Sequence, residues 1–255
     1  MLLDHLEKEK VTAAFFVTGL NKTDEKGREL LKSWNDKGHR IANHTLTHPN
    51  YNSKHNTFEK FSREVLQTDS IIREYSNYMP RFRFPYLKAG DTPEKVERFR
   101  EFLRLQGYKH GYVTIDASDW YINSRLIKRL KEDSKADISD FRNFYLEHLF
   151  ERAAFYEKLA FELTGRHIKH TLLLHHNLAA ALFLGDLMSM FKEKGWKIIS
   201  ADKAFEDEVF DLEPPHAGES IIWGLAKDSG KYDDILRYPA EDSRYEEERM
   251  NELGL

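Results

Sequence analysis

Apolar residues near the start of the chain recur at helical spacing. Leu2, Leu3 and Leu6 share one face, and Asp4, Glu7, Lys8 and Glu9 lie elsewhere. Residues 11–17 (VTAAFFV) are apolar on both faces and close on Thr18-Gly19, the pattern of a buried parallel strand. An amphipathic helix is expected over 24–37, with Gly38 at its stop. HRIANH then reads as a short strand, and 57–77 as a long helix with Thr57 as N-cap. The alternation continues with RFRFPY as a strand, 93–106 as a helix and YKHGYVTID as a strand. Residues 137–164 form one or two helices, HTLLLHHN a buried strand, 178–194 a helix and WKIISA a last short strand. About five strands separated by helices predict an α/β fold on a parallel sheet, doubly wound or closed into a barrel. The tail from about 206 has few strand signals and is expected to wrap the surface, with Trp223 and nearby tyrosines as candidate cleft-lining residues.

Composition narrows the function classes. A chain of 255 residues can bury a sizeable core. Its 39 basic and 43 acidic side chains leave no concentrated positive surface, which argues against a nucleic-acid partner. No run approaches the roughly 18 apolar residues of a membrane span. The charged start lacks the apolar stretch of a signal peptide, so the chain as written reads as soluble. Cell-envelope or secreted placement is expected if a signal peptide lies upstream of Met1. Cysteine is absent, so a metal would rest on carboxylates and on the 12 histidines. The 17 Phe, 12 Tyr and 4 Trp exceed what a core strictly needs, although most will pack.

Parallel α/β folds carry functional side chains at the C-terminal ends of their strands. After HRIAN come His44 and His48, at i and i+4, on one face of a helical turn and within reach of a shared metal ion. With 12 His in 255 positions, roughly half such a pair arises by chance, and two surface histidines are the plainer reading. RFRFPY places Arg83 where it can hold a carboxylate, and the Tyr86 main-chain N–H where it can face an oxyanion. A solvated arginine on an edge strand is the alternative. Asp116-Ala117-Ser118-Asp119-Trp120 sets a carboxylate beside a ring, either to orient a histidine or to cap a helix. His175 ends a fully apolar strand, as a core residue or as a general acid.

The order of these features is more specific than any one of them. HTLTH, RFPY, ASDW and LLLH, with VTAAFFVTG before them, resemble the motif series of the polysaccharide deacetylases, carbohydrate esterase family four with its NodB-homology domain. The resemblance spans about residues 1–200. It implies a distorted (β/α)7-type barrel over 1–205, lacking its first strand, with 206–255 as an extension packed on the same domain. It also implies that His44 and His48 bind a divalent metal, usually zinc. Arg83 would position the catalytic base, and the Tyr86 N–H would help stabilise the oxyanion. Asp119 would pair with His175, the proton donor to the leaving amine, and Trp120 with Tyr86 would contact the acetylated polysaccharide or oligosaccharide. Amide hydrolysis needs a polarised carbonyl, an activated water and a protonated leaving nitrogen, which a metal with one acid and one base supplies. His176 stands where an Asp is common.

One motif is not matched. Family members carry a T-F-D-D segment at the end of the first strand, with the general base and the third metal ligand, and Asp4 does not correspond to it. A misassigned start or a truncation is expected over a degenerate member, because the other motifs are intact and a missing first strand leaves an open sheet edge. The polypeptide as written is therefore expected to be weakly active or inactive. Other readings are a hydrolase of non-carbohydrate C–N bonds on the same fold, a non-catalytic glycan-binding relative, and a structural α/β domain.

Overall fold

The computed structural model describes residues 1–216, 218–237 and 242–255. Helix α1 (Leu2–Glu9) leads into β1 (Ala14–Val17), α2 (Glu25–Asp36), β2 (Arg40–Asn43) and α3 (Phe58–Ile72). Next come β3 (Tyr78–Phe82), α4 (Pro93–Leu105) and β4 (Lys109–His110). Beyond β4 the regular elements are α5 (Asp119–Glu132), α6 (Ser139–Thr164), α7 (Leu178–Glu193), α8 (Ala201–Ala204), α9 (Ile221–Ser229) and α10 (Arg244–Glu252), besides short 3-10 turns. The four strands form one parallel sheet in the order β1-β2-β3-β4. The expected α/β fold on a parallel sheet is borne out. No helix among the described residues is long and apolar enough to cross a membrane.

Local chemistry explains the helix starts. Asp24 accepts the Gly27 N–H at 2.7 Å, and Asn177 accepts the Ala180 N–H at 2.8 Å, each satisfying an otherwise orphaned donor of the first turn. Thr57 caps α3 through the Lys60 N–H, as its sequence position predicts. Pro93 occupies the first turn of α4, where its missing N–H costs nothing. Gly165 ends α6 in the left-handed conformation, with φ of 71°.

Three expectations need correction. The strand expected over YKHGYVTID shrinks to Lys109–His110. HTLLLHHN keeps a single bridge, Leu172 to Ile115, and WKIISA joins no strand. For the missing pairing of HTLLLHHN and WKIISA with β1, the physical reason is the geometry beside that strand. Its edge away from β2 faces a cavity of about 1440 Å³, lined by Ala14, Phe15 and Phe16 and by Leu172, Leu174 and Ile198. Strands pair only at about 4.8 Å. Extended segments across a cavity of this size therefore form no ladder with β1, however apolar their sequences. The C-terminal stretch also differs from a surface wrap. Val209, Phe210, Ile221, Ile222, Ala226, Met250 and Leu255 are buried in the largest core, with α5, α6 and α7. Trp223 packs against that core and donates its indole N–H to the Arg237 carbonyl at 3.1 Å, away from the cavity lining. Residues 238–241 of the tail, including Tyr238, lie outside the described residues.

A second core is almost wholly aromatic. Tyr51, Phe61, Phe82, Phe84 and Phe99 pack between α3, α4 and β3, with Phe99 within 6 Å of each of the other four ring centroids. Tilted and edge-on contacts of this kind add to the burial of the rings themselves. Phe99 is 0% exposed at the centre of this cluster. Replacing it with alanine should destabilise the protein by about 3–5 kcal/mol, read as a lower urea midpoint with an unchanged slope. A loss below about 1 kcal/mol would show that the cluster collapses around the missing ring.

Candidate active site

His44, His48, Arg83, Tyr86, Asp116, Trp120 and His175 all line the same cavity beside β1, and Asp119 is buried behind His175. The structure thus gathers every site residue that the motifs single out. How the chain delivers them differs in one respect. His44 and His48 do not stand on a helical turn. They flank a loop in which Thr45 and His48 both have positive φ, at 69° and 61°. Polar side chains hold this uncommon path. The Asn43 side chain accepts the Thr45 N–H at 3.0 Å, and the Thr45 hydroxyl accepts the His48 N–H at 3.1 Å. The two imidazoles converge to 4.8 Å between ring centroids, nearly edge to face. The His48 ring also lies 4.7 Å from that of Tyr86, itself at φ 55°.

Hydrogen bonding fixes the tautomer of His44. Its Nδ1 lies 2.8 Å from the Arg83 carbonyl oxygen, which can only accept, so the Nδ1–H donates and Nε2 keeps its lone pair. Burial, reinforced by the charges of His48 and Arg83, pushes the His44 pKa down to about 3. Burial and the charge of His175 also lower that of His48. Both rings are neutral at ordinary pH, the form that binds a metal. The pair fits two positions of a divalent-metal site. Among the described residues, no group of three or more His, Asp or Glu is placed to hold a metal ion, and a catalytic zinc takes three protein ligands.

Arg83 is buried. Its Nε donates to the Gly111 carbonyl at 2.8 Å, and its guanidinium stacks 3.8 Å over the Phe16 ring. Burial pushes its pKa down to about 9, against the opposing charge of Asp116. Gly111 is needed here for space, since a Cβ at that position would lie 2.3 Å from the Phe16 ring.

On the opposite wall, Asp119 is 0% exposed at the first position of α5. Its Oδ1 accepts from His175 Nδ1 at 2.6 Å, and its Oδ2 from the His175 main-chain N–H and from Asn177 Nδ2, both at 2.9 Å. The His175 imidazole is half exposed towards the cavity. Burial disfavours its charged form, but the hydrogen bond and charge of Asp119 outweigh this and raise its pKa. Nδ1 is committed to Asp119, so Nε2–H is the donor directed to the cavity. Asn177 was missed by motif reading. Its position before an apolar helix marks a cap, but nothing local shows that its amide also braces Asp119. His176 packs edge-on to Trp34 and Phe15 at 5.4 and 6.2 Å, and burial lowers its pKa.

Comparison with known proteins agrees with the motif reading. Residues 1–102 match the polysaccharide deacetylase family model. The peptidoglycan-N-acetylmuramic acid deacetylase PdaA of Bacillus subtilis is 31% identical over 155 residues, which cover 59% of this chain and 54% of PdaA. The chain spans about half the length of the curated relatives it matches. Among solved structures, the Bc1960 peptidoglycan N-acetylglucosamine deacetylase superposes with a TM-score of 0.56 at 18% identity, over 80% of each chain. A CE4 family pseudoenzyme from Bacillus anthracis superposes with a TM-score of 0.54 at 19% identity, over 80% of this chain and 58% of that one. At these identities the superpositions establish the shared fold, and the resemblance drawn from the four motifs is borne out.

The Asp119–His175 pair carries a pH signature. A raised folded-state pKa means that the pair contributes stability below about pH 6.5, the unfolded value, and loses it as pH rises through the folded value. Asp119→Asn removes the charge that sustains this shift. In NMR titration the His175 pKa should then fall to or below the ordinary imidazole value. A titration unchanged from the wild type would mean that Asp119 does not set the proton affinity of His175.

Proposed function

We propose that this relative of the polysaccharide deacetylases removes acetyl groups from an acetylated glycan, with His175 as the proton donor to the leaving group. The observation that carries this reading is the opening of the Asp119–His175 pair onto the cavity that also holds His44 and His48. A buried carboxylate that orients an imidazole and stabilises its charged form is the arrangement a general acid needs. Here it leaves Nε2–H facing the space where a substrate nitrogen or oxygen would sit. Trp120, Phe16 and Tyr86 supply apolar and aromatic wall, suited to an acetyl methyl group and to a sugar ring face.

A divalent metal, zinc by the nature of the donors, would be held by His44 and His48 and would polarise the acetyl carbonyl. The protein residues prepare for it. The Arg83 carbonyl locks the His44 tautomer, a second layer of support that histidine ligands commonly need. Arg83 itself, anchored to Gly111 and Phe16, places a guanidinium in the cavity wall.

A second reading is a non-catalytic glycan-binding relative. The observation in its favour is the two-histidine donor set, which among the described residues gains no third ligand. Two measurements separate the readings: zinc content of the purified protein by elemental analysis, and acetate release from N-acetylated glucosamine oligomers and from peptidoglycan. The deacetylase reading expects bound zinc that His48→Ala reduces, with acetate release that His175→Ala lowers by about 100-fold or more. Glycan binding without acetate release would favour the binding module, and neither binding nor release would overturn both.

A further inference from the structure

Two buried charges lie behind the Asp116–Asp119 loop, outside the cavity. Arg152, in the middle of α6, is 1% exposed and is the largest fully buried side chain among the described residues. Glu246, on α10, is 2% exposed. Burying a guanidinium and a carboxylate costs several kcal/mol each unless partners compensate, so their contacts show what they are held for. The Arg152 Nε donates to the Asp116 carbonyl oxygen at 3.2 Å. The Glu246 carboxyl is hydrogen bonded to the Ser118 side chain and lies in the field of Arg152. Both groups therefore grip the same three-residue span, which ends one residue before Asp119.

The segment that feeds this span is also held by the C-terminal region. The Ile221 N–H donates to the Val113 carbonyl at 2.9 Å, and the Ser220 hydroxyl to the Thr114 carbonyl at 2.7 Å. The regular pairing of β4 ends at His110, and beyond it residues 114–115 meet residues 171–173 at an isolated bridge, with the Ile115 N–H donating to the Thr171 carbonyl and the Leu173 N–H to that of Ile115, both at 3.0 Å. Helix α6 and the residues after 206 thus add to that bridge, holding residues 113–118 where it does not reach.

We infer that Arg152 and Glu246 are positioning residues for the Asp119–His175 pair, holding the loop before Asp119 so that its carboxylate meets the imidazole. The consequence for catalysis rests on reading His175 as the proton donor, but the positioning can be tested without turnover. The other titratable groups that act on His175, namely Asp119, Asp116, Arg83, His44 and His48, are retained in every variant below.

The experiment is an NMR titration of His175 in the full chain, with thermal melts as a control for folding. Ser118→Ala removes the Glu246 contact without changing any charge, and Arg152→Met removes the contact to Asp116. In each the His175 pKa should fall towards the ordinary value as the Asp119 contact loosens. The sign is informative for Arg152→Met. Losing a nearby cation acts through space to raise an imidazole pKa, so a fall can come only from displacement of the loop. Arg152→Lys, which keeps a donor on this side of the loop, should recover part of the shift. His148→Gln serves as the comparison, since His148 is a buried ring of α6 beside Glu246 whose Nε2 has no hydrogen-bond partner. It should leave the His175 titration unchanged even if it lowers the melting temperature. Folded Ser118→Ala and Arg152→Met proteins with wild-type His175 titration would overturn the proposal, as would an equal shift in His148→Gln. If Arg152→Met does not fold, the Ser118→Ala result decides.

Discussion

The Asp119 carboxylate is the constraint on which the rest of the site depends. A carboxylate with no exposed surface must find donors within the protein, and it finds three: the His175 main-chain N–H, the His175 ring and the Asn177 amide. These donors belong to a segment whose Leu172 bridges Ile115, outside the four-stranded sheet. Beyond that bridge, the Asp119 side chain ties residues 175–177 to the start of α5, and Asn123 Oδ1 of α5 accepts the Ala179 N–H at 3.1 Å. Asp119 also sits in the first turn of α5, where the helix dipole favours a negative charge. The same interactions that anchor the segment raise the proton affinity of His175, so structural support and acid chemistry are one arrangement.

The opposite wall is organised by neutrality. His44 and His48 stay uncharged because they are buried beside other positive groups, and the carbonyl of Arg83 decides which nitrogen of His44 faces the cavity. One cavity therefore holds histidines with opposite tendencies: a pair near β2 whose proton affinity is lowered and a third whose proton affinity Asp119 raises. Groups with proton affinities pushed apart in a shared cleft are the usual mark of divided chemical roles. The Asn43–Thr45–His48 hydrogen bonds matter for the same reason, because they hold two left-handed residues that let the rings converge.

The C-terminal region belongs to the core, and through it to the site. Ile221, Ile222, Met250 and Leu255 pack with α6 and α7, while Ser220, Ile221 and Glu246 reach the strand and loop that carry Asp116 and Asp119. This placement explains why α6 tolerates a buried arginine beside buried apolar residues such as Leu149, Ala153 and Tyr156. Arg152 serves a main-chain oxygen that no strand covers.

Much of this was legible along the chain. Helical spacing and caps such as Thr57 placed the helices, because those signals act within a few residues. The order of HTLTH, RFPY, ASDW and LLLH named the site residues, since each follows a segment whose apolar pattern is itself local. Other features were decided only by tertiary contacts. HTLLLHHN and WKIISA have the composition of buried strands, yet a strand exists only where a neighbour lies within hydrogen-bonding distance, and the cavity beside β1 keeps that distance open. The turn at His44–His48 depends on side chains of Asn43 and Thr45 folding back on the main chain, which i, i+4 spacing does not specify. The roles of Arg152, Glu246 and Asn177 depend on partners 36 to 128 residues away along the chain. Sequence determined which residues could act; the long-range contacts determined which charges and main-chain oxygens they meet.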